Sequence, residues 1–244
     1  MKRIRYTVSI ILLLFLLVIG EVEAFAVNTG FSTESIPEED AAVLLRNVNI
    51  TMLTAEPQKE SIECFDVNEE GRIAIGCGSS KAKTVCIYSS DGIFEYGYRF
   101  DCSGSFGIEL DSDVLIICLV RSDAAIAVDS AGEVESVLRI QNTSENNSYW
   151  NEHVYSTVRK VGDVEYALGN NMGILNLFAS SYSQLTATDI NGEARVLYDV
   201  NSTQLLYTAL AVIGVVALAV IAVTVIVRQA VKHNRNARKQ ASEV

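Results

Sequence analysis

Carboxylates dominate the residues that could do chemistry. The stretch DVNEEG, Asp66 to Gly71, sets oxygen-bearing side chains at Asp66, Asn68 and Glu70 ahead of a glycine, which is how a calcium loop begins. An EF-hand loop also needs a bidentate glutamate at its twelfth position and a helix on each side. Counted from Asp66, that position is Cys77, and the apolar run RIAIGC follows the glycine, so the stretch reads as a hairpin turn. The neighbouring pairs Asp111/Asp113 and Glu69/Glu70 could serve a glycosidase, which needs two carboxylates at a set separation. Between residues 25 and 204, however, there are 27 acidic residues, so such pairs arise by chance and read first as solvated turns.

Nucleophilic chemistry has less support. A Ser-His-Asp site needs a histidine base. Before the C-terminal apolar run the chain offers only His153, and CSGSFG carries Cys102 where a nucleophile elbow needs glycine. Phosphate-binding, dinucleotide-binding and His-Glu-x-x-His motifs are missing from the sequence. No catalytic, cofactor-binding or metal-binding residue is therefore assigned, and no cofactor is expected.

Binding has better candidates. Phe94, Tyr96, Tyr98 and Phe100 recur with a period of two, which puts them on one face of a strand. Exposed, that stripe could stack on sugars or peptides, with Tyr96 and Tyr98 at its centre; buried, it packs between sheets. The polar insertion QNTSENNSYWNEH (141–153) holds Tyr149, Trp150 and His153, and an aromatic in a long polar loop is a natural partner contact. Five cysteines leave at least one thiol unpaired. Cys77 and Cys86 flank a predicted hairpin and are the candidate disulfide, although a reduced thiol in an apolar strand also behaves as a small hydrophobe. Asn49, Asn142, Asn146 and Asn201 each begin an N-glycosylation sequon.

The chain ends say where these residues sit. Lys2, Arg3 and Arg5 precede an apolar run to Ile19, with Val22 and Ala24 before a cleavage point, as in a secretory signal peptide; an uncleaved anchor is the rival reading. Leu205 to Val227 carries no charge and is long enough to span the roughly 30 Å hydrocarbon layer. Five basic residues between Arg228 and Lys239 follow it, which predicts a cytoplasmic C-terminus, an N-terminus outside, and a single-pass protein of the cell membrane. With only 11 basic residues against its 27 acids, the intervening region would repel nucleic acid.

From residue 48 to residue 200 the sequence is a series of short Val-, Ile-, Tyr- and Phe-rich runs separated by turn residues, an antiparallel β signature. No stretch between Asp40 and Gln204 reads as a helix. Asp91-Gly92, Ala131-Gly132 and Asn191-Gly192 each precede a final strand of a repeated unit: an apolar strand with an acidic end, a turn, a strongly apolar strand, a third strand ending in Asp, a Gly turn, and an amphipathic fourth strand. SIECFDVNEEGRIAIG with TVCIYSSDGIFEYGYRF is one copy, and SFGIELDSDVLIICLV with AAIAVDSAGEVESVLRI is the next. QLTATDINGEARVLYDV closes a third.

These copies resemble NHL-like β-propeller blades over about residues 61 to 200. Runs such as CSGSFG, ENNSYWN and SYSQL are similar to membrane-anchored envelope proteins of Gram-positive anaerobes, a family without an assigned activity. The propeller resemblance implies an all-β, propeller-like stack of about three four-stranded meanders. The expected organisation is a signal segment at 1–24, a flexible acidic leader at 25–43, the β domain at 44–204, a transmembrane helix at 205–227 and a basic tail at 228–244. Three blades do not close a propeller, so exposed sheet edges are expected. Either two half-propellers pair as a homodimer, or strand 48–55 completes the last blade of an open domain. The function expected is a non-catalytic, membrane-anchored extracytoplasmic module that binds or assembles with an unknown protein or extracellular ligand. The alternatives are an accessory subunit that completes a partner's propeller and an envelope hydrolase working through paired carboxylates.

Overall fold

The computed structural model describes residues 29–241, apart from residues 79, 80 and 180. The expected signal segment, residues 1–24, lies outside the described residues, as do residues 25–28 and the last three residues of the basic tail.

The chain enters through strand β1 (Thr33–Ser35), helix α1 (Glu38–Val48) and strand β2 (Thr51–Leu53). Three meanders follow. The first is β3 (Ile62–Val67), β4 (Ile73–Cys77), β5 (Ala82–Tyr88) and β6 (Phe94–Asp101). The second is β7 (Phe106–Asp111), β8 (Val114–Leu119), β9 (Ala124–Val128) and β10 (Val134–Ile140). Helix α2 (Ser144–Tyr149) then runs into a wider π turn, in which the Tyr155 N–H donates to Trp150 O at 2.9 Å. The third meander is β11 (Val158–Val161), β12 (Val164–Gly169), β13 (Gln184–Thr188) and β14 (Ala194–Asp199), with a 3-10 turn at Gly173–Phe178 inside it. Helix α3 (Asn201–Ala241) ends the described chain.

All three sheets are antiparallel, and the first two gain a fifth strand at their outer edges, β2 beside β6 and β1 beside β10. Strand 48–55 therefore does not complete the last meander; its Thr51–Leu53 core extends the first. The acidic leader also departs from expectation, because β1 and most of α1 fall inside residues 25–43. Glu38, Glu39 and Asp40 fill the first helical turn after Pro37, where carboxylates suit the positive end of the helix dipole. Val48 is buried, with Leu44 and Leu45 packed beside it against the core. Those three lie on one helical face, a pattern hidden in the sequence by the β-rich text that follows.

The sheets pack as layers, with the first in the middle. One of its faces, carrying Val85, Ile87, Tyr98 and Phe100, meets Phe106, Ile108, Ile117 and Ile126 of the second sheet. Its other face, carrying Phe65, Ile73, Ile75 and Tyr88, meets Tyr166, Leu185 and Tyr198 of the third. This double burial explains the near-continuous apolar runs in β4 and β8, because a strand covered on both faces has no solvent side to alternate with. The second sheet's far face, with Ile116, Cys118 and Ala125, is covered by Phe31, Tyr149, Trp150 and Val154. Residues 141–153 are thus a helical lid with a partly buried Trp150, and no extended polar loop forms. The sheets do not close into a propeller; β3 packs against both β7 and β11.

The closing turns of the three meanders share one geometry. Ser89, Asp129 and Asp189 each accept two backbone N–H groups, two and four residues ahead, with Gly92, Gly132 and Gly192 at φ +78°, +90° and +81°. Asp and Ser side chains form such turns because their oxygens reach the backbone two residues on, and glycine accepts positive φ without a Cβ clash.

Asn201–Gln229 within α3 is long and apolar enough to cross a membrane, and none of it is buried against the rest of the chain. Within the span that reads as β runs, GILNLFA is an exception: Gly173–Phe178 form a 3-10 turn.

Candidate functional site

The first strands of the three meanders bring their ends together, acidic in β3 and β7 and basic in β11. Between them and the lid lies a cleft of about 770 Å³, lined by the Asp66–Glu70 hairpin, Glu109–Ser112, Arg159–Gly162, Tyr149 and His153. Each meander contributes the last residues of its first strand and the turn that follows. Five carboxylates line the cleft against two fixed cations, Arg159 and Lys160.

A buried ion pair organises its floor. Arg159 Nε donates to Asp66 Oδ1 at 2.8 Å, and the Leu110 N–H donates to Asp66 Oδ2 at 2.8 Å. The rest of the guanidinium donates to His153 O at 2.6 Å and Val158 O at 3.3 Å, and lies 5.5 Å from the centroid of the Phe65 ring. One pair of side chains thereby joins all three sheets and the lid. Asn68 adds a second link: its Nδ2 donates to Ser112 O at 2.9 Å while its Oδ1 accepts from the Arg72 N–H at 2.8 Å. DVNEEG is a hairpin, as read, with Asp66 turned inward to Arg159.

Glu109 is the exception to this satisfaction. It is 6% exposed, and neither of its side-chain oxygens has a hydrogen bond of good geometry among the described residues. Burial raises its pKa; the Thr29 and Tyr149 hydroxyls beside it and the His153 ring oppose part of the shift, and the Asp66 charge adds to it. The Tyr149 phenol is raised as well, chiefly by burial and then by Glu109. A buried carboxylate with no facing cation in hydrogen-bond contact among the described residues is costly as an anion, so this one favours a proton or a bound cation. Gly30 is needed at the rim, since a Cβ there would stand 2.1 Å from the Tyr149 ring.

The other sequence candidates are dispersed. Tyr149 and His153 face the cleft, with their rings stacked at 4.8 Å. Trp150 packs on Phe31 and Tyr155, at 4.8 and 5.4 Å between ring centroids, and serves the lid. Tyr96 and Tyr98 are buried between the first two sheets, with the Tyr98 hydroxyl donating to Asp129 O at 2.5 Å, so they do not form a stacking surface. Phe94 leaves their stripe altogether. A register shift at Tyr88 turns it to the opposite face, where it packs on Tyr88 at 5.9 Å.

Cys77 and Cys86 do not form a disulfide: Cys77 pairs in register with Thr84, Cys86 with Ile75, and all five cysteines are free and buried. Burial pushes the Cys77 thiol up to about 12 and Cys86 up to about 11, so both stay protonated at neutral pH. Of the carboxylate pairs, Asp113 bonds Arg72 outside the cleft, while Asp111, Glu69 and Glu70 sit at its rim. Asn146 is buried, with its amide bonded to both backbone groups of Ser32, so this sequon secures β1 to the lid.

Sequence reasoning missed Glu109 and the Asp66–Arg159 pair. The available signal was an acid inside an otherwise apolar strand, in SFGIEL and IECFDV, where every neighbour asks to be buried. Among the described residues, no group of three or more His, Cys, Asp or Glu could hold a metal ion. No protein-family model matches this chain, and no curated protein does. Fold and cleft together describe a three-sheet antiparallel β protein with one long apolar C-terminal helix.

Proposed function

We propose that the protein is a membrane-anchored extracytoplasmic binding module without catalysis of its own, and that its acidic cleft receives a cationic group of the ligand. The reading rests on the buried Glu109 carboxylate in the cleft wall, whose oxygens have no hydrogen bond of good geometry among the described residues. A primary ammonium would supply well-aligned donors and the compensating charge, and the rim acids Glu69, Glu70 and Asp111 would attract it. Because burial raises the Glu109 pKa, taking up the cation releases a proton wherever that group is protonated, and affinity increases with pH in that range.

The test is calorimetry on the full chain in detergent, titrated with spermidine and, as the anionic control, glutamate. Spermidine should bind with proton release while glutamate does not, and Glu109→Gln should abolish the binding. Equal spermidine binding by wild type and Glu109→Gln would refute the reading.

One observation favours a second reading, assembly with a partner. The lid covers the outer face of the second sheet, but nothing described covers the third sheet's outer face, where Val158 and Val196 are exposed. A copurifying protein, or a homodimer on sizing, that is lost in Val158→Asp would support assembly through that face. A monomer in both would remove it.

A further inference from the structure

We infer that the 3-10 turn at Gly173–Phe178 is a second membrane contact, inserting its apolar side chains into the lipid leaflet on the β-domain side. Ile174, Leu177 and Phe178 are 79%, 82% and 61% exposed. Three large apolar residues displayed on one short turn are unfavourable in water and mark a contact surface. Their position identifies the occupant. Phe178 lines a groove with Tyr207, Ala211 and Val215, which recur every four residues on one face of α3. Those residues lie within the stretch able to cross a membrane. From Leu205 to Val216 the helix rises about 16 Å, roughly half the hydrocarbon thickness. If α3 spans the bilayer, a turn packed beside these residues stands at the depth of acyl chains.

The turn is also built to enter an apolar medium, where backbone polar groups must find internal partners. The Met172 N–H donates to Asn176 Oδ1 at 2.9 Å, and Asn176 Nδ2 donates to Asn170 O at 3.1 Å. Asn201, the first residue of α3, exchanges bonds with the backbone of Asn171 at 2.9 and 3.2 Å, so turn and helix are held as one unit. The groove between them, about 540 Å³ and mostly apolar, suits an acyl chain of a neighbouring lipid. Two contacts on a bilayer restrict the tilt of the β domain, which a single helix does not.

This inference rests on α3 crossing the membrane, and the experiment separates the two claims. Trp150 is the sole tryptophan, so a Trp150→Phe background is free of that fluorophore. Leu177→Trp, Ile174→Trp, Val220→Trp and Asn191→Trp are each reconstituted, as full chains, into phosphatidylcholine vesicles with and without brominated acyl chains. Val220→Trp reports the span, and Asn191→Trp, on an exposed turn, reports water. The expected result is bromine quenching of Val220→Trp, Leu177→Trp and Ile174→Trp, with Asn191→Trp unaffected. Quenching of Val220→Trp alone overturns the inference and leaves the span intact; no quenching of Val220→Trp overturns both. Two reporters on the turn cover the case in which one misfolds, and circular dichroism identifies it.

Discussion

Removing both partners of the Asp66–Arg159 pair should destabilise the β domain by clearly less than the two single removals added together. In Arg159→Met the Asp66 carboxylate keeps only the Leu110 N–H, in a site where both side chains are about nine-tenths buried. Stranding a buried charge in this way costs about 3–5 kcal/mol. Asp66→Asn still accepts from Leu110, and the guanidinium keeps the His153 and Val158 carbonyls, so its cost falls at the lower end of that range. The double variant Asp66→Asn/Arg159→Met strands neither charge, and its loss should fall short of the sum of the singles by about 2–4 kcal/mol. Guanidinium unfolding of the full chain in detergent, followed by Trp150 emission, reads this directly: the lid tryptophan reports the layered β domain and not α3. For a domain of this size each kcal/mol corresponds to about 2–4 °C, so thermal scans provide a second measure. Strictly additive losses, or single variants costing less than about 1 kcal/mol like an exposed pair, would show that the pair does not tie the three sheets together.

Two further outcomes follow from buried groups. The Glu109 pKa is raised in the folded state, so its stabilising contribution is full below the ordinary glutamate pKa and is lost as pH rises through the folded value. Glu109→Gln should therefore gain stability over wild type at neutral pH and lose that advantage toward pH 4 in parallel denaturation curves; an advantage that grows on acidification would contradict the desolvation argument. Gly107→Ala should loosen the lid, because a Cβ there would stand 2.2 Å from Val154 Cγ1 and 2.9 Å from the Trp150 ring. Overpacking of this kind costs about 1–3 kcal/mol, and Trp150 emission should shift to the red; an unchanged spectrum at full stability would mean that the lid does not seat there.

The sequence by itself determined the local grammar. The Gly92, Gly132 and Gly192 turns, the near-continuous apolar runs of β4 and β8 and the long apolar stretch of α3 are written in neighbouring residues, and so are the meanders they imply. It did not show α1, because Leu44, Leu45 and Val48 form a face only once a sheet lies beneath them. Nor did it show that QNTSENNSYWNEH is a lid, since Trp150 is half-buried by Phe31, well over a hundred residues earlier. Tyr96 and Tyr98 read as core first and as a platform second; burial between two sheets bears out the core, and a one-residue register shift sent Phe94 the other way. The cleft was decided wholly by tertiary structure. Asp66, Glu109 and Arg159 come from three different meanders, and no spacing along the chain could say that one carboxylate would meet a guanidinium while the other would be buried away from it.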